Sequence, residues 1–348
     1  MSDLSQTRQR NILMAAALVS VVLGVFSALE APHRPYAGYR VNNDRVTTVD
    51  EGSPAAAAGL RPGDVVNSVN GIPATDRKGL QDLRRRPAAG ETWPLLVERD
   101  GDIVRLQISP ARLRPSDVVR ARGRSFLGLC FIGFTLWAWL ASPGATTTLL
   151  AVAGLSFGFL GLGTPYFASR ALRGAADSLG VVALVIGIVA VVHFLLAFPS
   201  RRAFLDRPWA TLVLYAPGVI LALISIGGLV LPIELSSRRG NTFMGMLYTV
   251  FLGVYLIWAI VLLVRRYMGT PPAERTIHGL GLMLASTVVV FAPFLFFAIV
   301  PSLWPASMKA YQLYSPYSGF TFGLIPIAFS VAAVRSGRSK RATDRVAV

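Results

Sequence analysis

The sequence predicts a polytopic α-helical membrane bundle of about eight spans, with one small β-rich module inserted after the first span. Three observations predict it. Only 15% of the 348 residues are charged and 53% are hydrophobic, whereas ordinary soluble domains carry about 25% charged residues. Apolar runs of membrane-crossing length recur along the chain, since a helix needs about 20 residues to cover a hydrocarbon core about 30 Å thick. One polar stretch, residues 32–123, interrupts those runs and is rich in Gly, Pro and Arg.

The first apolar run, Ile12 to Ala28, follows Arg8 and Arg10. It is long for a signal-peptide core, and Pro32 stands where cleavage would be poor, so it reads as an uncleaved anchor. After Arg124 further spans fall near 125–141, 147–165, 178–198, 209–231, 243–264, 278–300 and 317–334. Pro143-Gly144 makes the first two of these a hairpin. Pro217, Pro293 and Pro326 lie inside apolar runs and predict kinks, which neighbouring helices tolerate. Trp139, Tyr166, Trp209, Tyr267, Trp304, Tyr311, Tyr314 and Tyr317 sit at span edges, as an interfacial belt would. The expected division is an N-terminal tail and anchor over 1–31, the module over 32–112, seven helices over 113–334 and a basic tail over 335–348.

Charge sets the expected orientation. With the N-terminus inside, thirteen Lys and Arg residues of the tails and short loops fall on the cytoplasmic side, including Arg201, Arg202, Arg265, Arg266 and Arg338. Five, namely Arg170, Arg173, Arg238, Arg239 and Lys309, fall outside. The positive-inside rule then puts both termini in the cytoplasm and the module outside it. One run disagrees: Arg112, Arg114, Arg120, Arg122 and Arg124 precede the second span on the outer side. The net charge of +16 is accounted for by topology and by anionic lipid head groups, so membrane lipids and not nucleic acid are the expected partners of the basic loops.

The module reads as short β-runs around two helices. Ser53-Pro54 followed by Gly59 has a helix cap, a first-turn proline and a terminating glycine. Asn70-Gly71 and Asp100-Gly101 are tight-turn signals. Thr75 to Arg86 reads as an amphipathic helix carrying Leu80 and Leu83 on one face, and Trp93–Glu98 and Ile103–Ile108 as a hairpin.

The string Gly52-Ser53-Pro54-Ala55-Ala56-Ala57-Ala58-Gly59-Leu60-Arg61-Pro62-Gly63-Asp64-Val65-Val66, followed by Val69-Asn70-Gly71, resembles the signature of bacterial PDZ domains. That resemblance implies binding of an extended peptide or protein C-terminus as an added strand. It implies a carboxylate loop at Tyr36-Ala37-Gly38-Tyr39 and a groove walled by Tyr39, Val41, Leu80 and Leu83. The peptide-binding candidates are therefore Gly38, Tyr39, Val41, Leu80 and Leu83. The same residues would serve equally as the core of a small module.

The layout also resembles the N-terminal input region of PDZ-containing bacterial sensor histidine kinases of the competence quorum-sensing type. His193-Phe194-Leu195-Leu196-Ala197-Phe198-Pro199 with Arg201-Arg202, and Phe322-Gly323-Leu324-Ile325-Pro326, are similar to strings in those sensors. No phosphoacceptor helix or nucleotide-binding glycine boxes follow Arg335, so kinase activity is not implied. The resemblance implies a bacterial inner-membrane sensor or adaptor that passes peptide occupancy to a cytoplasmic kinase or phosphatase.

No catalytic residues, metal site or cofactor are expected. PDZ-containing intramembrane metalloproteases use a His-Glu-x-x-His helix, and His33, His193 and His278 lack that context. Cys130 is the single cysteine and reads as a small buried apolar residue. The expectation is a non-enzymatic sensor. An envelope scaffold or protease regulator, and a transporter or lipid-handling protein with an accessory PDZ domain, are the alternatives.

Overall fold

The computed structural model describes residues 3–42, 44–86, 90–230, 238–303 and 319–346. Helix α1 (Asp3–Glu30) leads into the module. There follow β1 (Pro35–Tyr36), β2 (Tyr39–Asn42), β3 (Arg45–Val49), α2 (Pro54–Ala57), β4 (Val65–Val69) and β5 (Ile72–Pro73). Then come α3 (Arg77–Arg85), β6 (Trp93–Arg99), β7 (Asp102–Ile108) and β8 (Ala111–Arg112). The bundle continues with α4 (Pro115–Ala141), α5 (Ala145–Leu162), α6 (Arg170–Ala197), α7 (Ala210–Val230) and α8 (Arg238–Gly269). It ends with the short α9 (Pro272–Ile277), α10 (Leu280–Leu303) and α11 (Leu324–Val346).

Local chemistry accounts for the module. Ser53 Oγ accepts from the Ala56 N–H at 3.2 Å and Asp76 Oδ1 from the Gly79 N–H at 2.9 Å, so each short helix starts on a capping side chain. Asn70 and Gly71, and Asp100 and Gly101, all take positive φ, as two-residue hairpin turns matching strand twist require. The main sheet runs β2-β3-β4-β6-β7, with β5 on β4, and every pairing is antiparallel. Val46, Val66, Leu95, Val97, Trp93 and Ile108 fill its core. Asp64 is 3% exposed and is held by a two-pronged bond from Arg99, Nε to Oδ1 and Nη2 to Oδ2, both at 2.8 Å.

Among the described residues seven helices are long and apolar enough to cross a membrane, and the described apolar stretch of α10 adds a shorter one. Outward faces carry large apolar side chains such as Leu18, Leu212, Leu223, Val250 and Ile257, which in a hydrocarbon environment face lipid. The anchor α1 packs on α4 and α5 through Leu13 and Ala17. Close approach of α4 and α5 depends on glycine. A Cβ on Gly128 would lie 2.7 Å from the Gly158 carbonyl oxygen, and one on Gly161 would lie 3.0 Å from Gly128 Cα. Small residues let membrane helices pack backbone to backbone.

Some sequence expectations are placed differently. Trp139, near the C-terminal end of α4, faces the bundle interior: it is 6% exposed, and its indole N–H donates to Thr148 Oγ at 3.1 Å. Pro326 lies in the first turn of α11, where a missing N–H breaks no helical bond. Trp304, Tyr311, Tyr314, Tyr317 and Lys309 lie outside the described residues. The string from His193 to Pro199 is packing: Phe194 is fully buried, stacked on Phe198 at 5.1 Å and tilted against Phe329 at 5.9 Å.

The Asp64 carboxyl is held below the usual carboxylate range, chiefly by the Arg99 hydrogen bonds, against the opposing effect of burial. The stabilisation is therefore complete above the ordinary carboxylate pKa of about 4 and lost as pH falls through the depressed value. Arg99→Met is expected to lower the protection of β4 and β6 amides at neutral pH, measured by hydrogen exchange. In acid the variant and wild type should converge; an unchanged gap would count against this pair.

Candidate functional site

The edge position of β2 in the sheet leaves one side of that strand without a partner among the described residues. Helix α3 stands across from it, and the space between is a groove of about 630 Å³. Tyr39, Leu80, Leu83, Val69 and Trp93 supply its apolar wall and floor. The loop at its end is built by backbone bonding. The Ala37 carbonyl accepts from the Ala55 N–H at 2.9 Å and the Gly38 carbonyl from the Asp50 N–H at 2.8 Å. Planar trans peptides then turn the Gly38 and Tyr39 N–H groups the opposite way, away from α2 and β3. Gly38 has φ +81°, and a Cβ there would collide with the Ser53 side chain. The loop thus needs glycine twice over, for conformation and for space.

Of the five residues expected to bind peptide, Gly38, Tyr39, Leu80 and Leu83 line this groove and Val41 does not. Val41 packs instead against the module core. The register of β2 against β3 skips Thr47, so the extra residue of this bulge stands on β3. Tyr39 and Val41 keep the same face of β2, and Val41 lies beyond the end of the groove lining. Sequence reading missed two contributors, Val69 and Trp93, because each looks like ordinary strand core.

The groove is not closed by the module alone. Arg34, from the segment after α1, and Leu113, Arg114, Asp117, Ala121 and Arg124, from the start of α4, form its remaining wall. Tyr36 Oη donates to Asp50 Oδ2 at 2.5 Å. Burial first and this bond second push the Tyr36 phenol up to about 12. Arg114 stacks over the Tyr36 ring at 4.6 Å and lies 3.8 Å from Asp50. On the far wall, α3 is tied to the N-terminal turns of α6 by two crossed ion pairs, Arg85–Asp177 and Asp82–Arg173, each at 3.1 Å. Arg173 also donates to the Phe167 and Ala168 carbonyls at 2.7 and 2.8 Å.

A second cavity of about 450 Å³ lies among α4, α5, α6, α8, α10 and α11, lined by apolar side chains such as Leu127, Phe131, Phe157 and Phe291. Arg124 borders this cavity and the groove alike. The histidines are dispersed. His193 Nδ1 lies 3.4 Å from Tyr215 Oη and His278 Nδ1 lies 3.0 Å from Ser336 Oγ. Among the described residues no three His, Cys, Asp or Glu side chains gather as a metal site would need.

The family model for the PDZ domain matches residues 45–99, so the module is a PDZ domain. Two curated proteins, from Brucella suis biovar 1 and Brucella melitensis biotype 1, each bear the name "Putative zinc metalloprotease". Each is 32% identical over 107 residues, which cover 31% of this chain. The matched part spans about a quarter of the length of those relatives. A serine endoprotease structure from Yersinia pestis is 32% identical over 23% of this chain and 30% of its own, with a TM-score of 0.22. The two curated names correct the sequence-based expectation: both name a zinc metalloprotease and neither names a sensor kinase. The reading as a non-enzymatic sensor that signals to a kinase or phosphatase is overturned, and the expectation that the chain is no enzyme goes with it. Zinc, which those names imply, has no fitting ligand set among the described residues, and no chemical step is assigned to it.

The crossed ion pairs are expected to hold the groove wall on the bundle. In the double variant Asp82→Asn, Asp177→Asn, amide exchange across α3 should rise severalfold while β4 and β6 stay protected, since partly exposed pairs contribute modestly and locally. Unchanged α3 exchange would show that the pairs do not brace the groove.

Proposed function

We propose that this chain serves proteolysis at a membrane, with its PDZ groove capturing an extended polypeptide end and holding it for cleavage. The observation that carries the reading is the unpartnered edge of β2 facing Leu80 and Leu83 on α3. An incoming strand would bond its backbone to that edge and place alternate side chains against Tyr39, Leu80 and Trp93. The Gly38 and Tyr39 N–H groups would meet a terminal carboxylate. The names of the curated relatives support the proteolytic setting. Cleavage itself is not assigned to a residue of this chain.

The setting that fits is a bacterial inner membrane with the PDZ domain on the extracytoplasmic side. Arg201 and Arg266 sit at the end of the bundle away from the PDZ domain. Arg266 donates to Ser200 Oγ at 3.1 Å, and α6, 28 residues long, separates that end from Arg173 by about 40 Å. Such clustering supports a cytoplasmic face there.

Two outcomes are expected. In cells carrying Leu80→Asp, membrane-protein fragments made in wild-type cells should be lost and their uncleaved precursors should accumulate, as read by proteome-wide sequencing of protein ends. An unchanged set of ends would refute the proteolytic role. With Asp102→Cys in a Cys130→Ala background, a membrane-impermeant maleimide should label intact spheroplasts; labelling only after lysis would reverse the orientation.

A further inference from the structure

The arginines from 112 to 124 are the one basic run that charge-based topology leaves unexplained. Two of them, Arg114 and Arg124, stand in the groove wall. Its lining holds five arginines, with Arg34, Arg40 and Arg84 the others, against two carboxylates, Asp50 and Asp117. Asp50 is already bonded by Tyr36 and approached by Arg114. Arg84 lies over the Tyr39 ring at 5.7 Å. Arg40 is exposed to solvent, which leaves Arg34 and Arg124 to account for.

Arg34 is half-buried. One Nη donates to Ser27 Oγ at 3.0 Å, and Nε is buried without a partner among the described residues. Burial, together with the charges of Arg85 and Arg124 and against that of Glu30, holds its guanidinium below the usual range. Glu30 is occupied, since its Oε2 accepts from the Tyr166 N–H at 2.7 Å. Among the described residues Arg124 has no carboxylate partner. On the floor of the same groove, Trp93 is 2% exposed, and its indole N–H is likewise buried and unpartnered. Donors without acceptors in one cavity are costly unless a ligand completes them.

We propose that Arg34 and Arg124 form an anion subsite at the bundle end of the groove, so that the chain selects polypeptide ends carrying acidic side chains. The subsite rests on the groove reading above but lies outside the matched residues 45–99. It is made by the segment after α1 together with α4. The planar guanidinium takes a carboxylate through two parallel bonds, and desolvation beside the half-buried Arg34 strengthens the pairing relative to water. The basic run around the start of α4 thereby gains a role that overrides its unfavourable position for topology.

The test uses the full-length chain in phosphatidylcholine nanodiscs and fluorescent peptides of one scaffold. All have a free terminal carboxylate, with either glutamates or glutamines near the end. The glutamate peptide should bind about tenfold tighter or better, as charge-assisted bonds predict, and its advantage should shrink as salt rises. Arg34→Gln and Arg124→Gln should each remove the advantage, bringing the two peptides to equal affinity. Equal affinity for both peptides, lost in Leu80→Asp, would overturn the subsite and leave the groove reading standing. No binding of either peptide to a folded chain would overturn both. Retention of the preference in both arginine variants would also overturn the subsite. So would loss of phosphatidylglycerol binding in those variants without any change toward peptides, which would assign the pair to lipid head groups.

Discussion

Backbone hydrogen bonding governs both halves of this protein, in opposite ways. A chain crossing hydrocarbon must satisfy every N–H and C=O within itself, and helices do so segment by segment. The bundle obeys, with long helices whose outward side chains are apolar. The PDZ domain leaves one row unsatisfied, along the free edge of β2. That row is tolerable beside water and is what a captured strand would complete.

The two halves meet at the groove itself. Its wall, α3, is fastened to α6 by Asp82–Arg173 and Arg85–Asp177. Its opposite end is shut by Arg34 and the first turns of α4. Arg114 bridges the halves through Tyr36 and Asp50. A polypeptide in the groove would therefore touch bundle residues as well as PDZ residues. This arrangement suits delivery to a membrane-level event better than capture at a distance on a flexible tether.

The contrast between the sensor expectation and the proteolytic reading turns on what a motif can carry. The PDZ signature identifies a way of holding peptide and is common to unrelated activities. The histidine-phenylalanine string suggested a sensor, yet Phe194, Phe198 and Phe329 use it to pack helices. Apolar strings in helices answer to packing first, so likeness among them says little about activity.

The sequence by itself determined the class of fold, because hydropathy over about 20 residues and the fixed turn residues of the PDZ signature are local properties. Asn70-Gly71, Asp100-Gly101, Ser53 and Asp76 do in the structure what their chemistry dictates alone. Four of the five candidate groove residues were legible for the same reason: the spacing of Leu80 and Leu83 puts both on one helix face. Tertiary structure alone decided the rest. Val41 falls outside the groove lining, and a strand supplied Trp93 to its floor. Only folding brings Arg34 and Arg124, ninety residues apart in the chain, to the same cavity. Long-range juxtaposition depends on how elements pack, and no local pattern of residues encodes it.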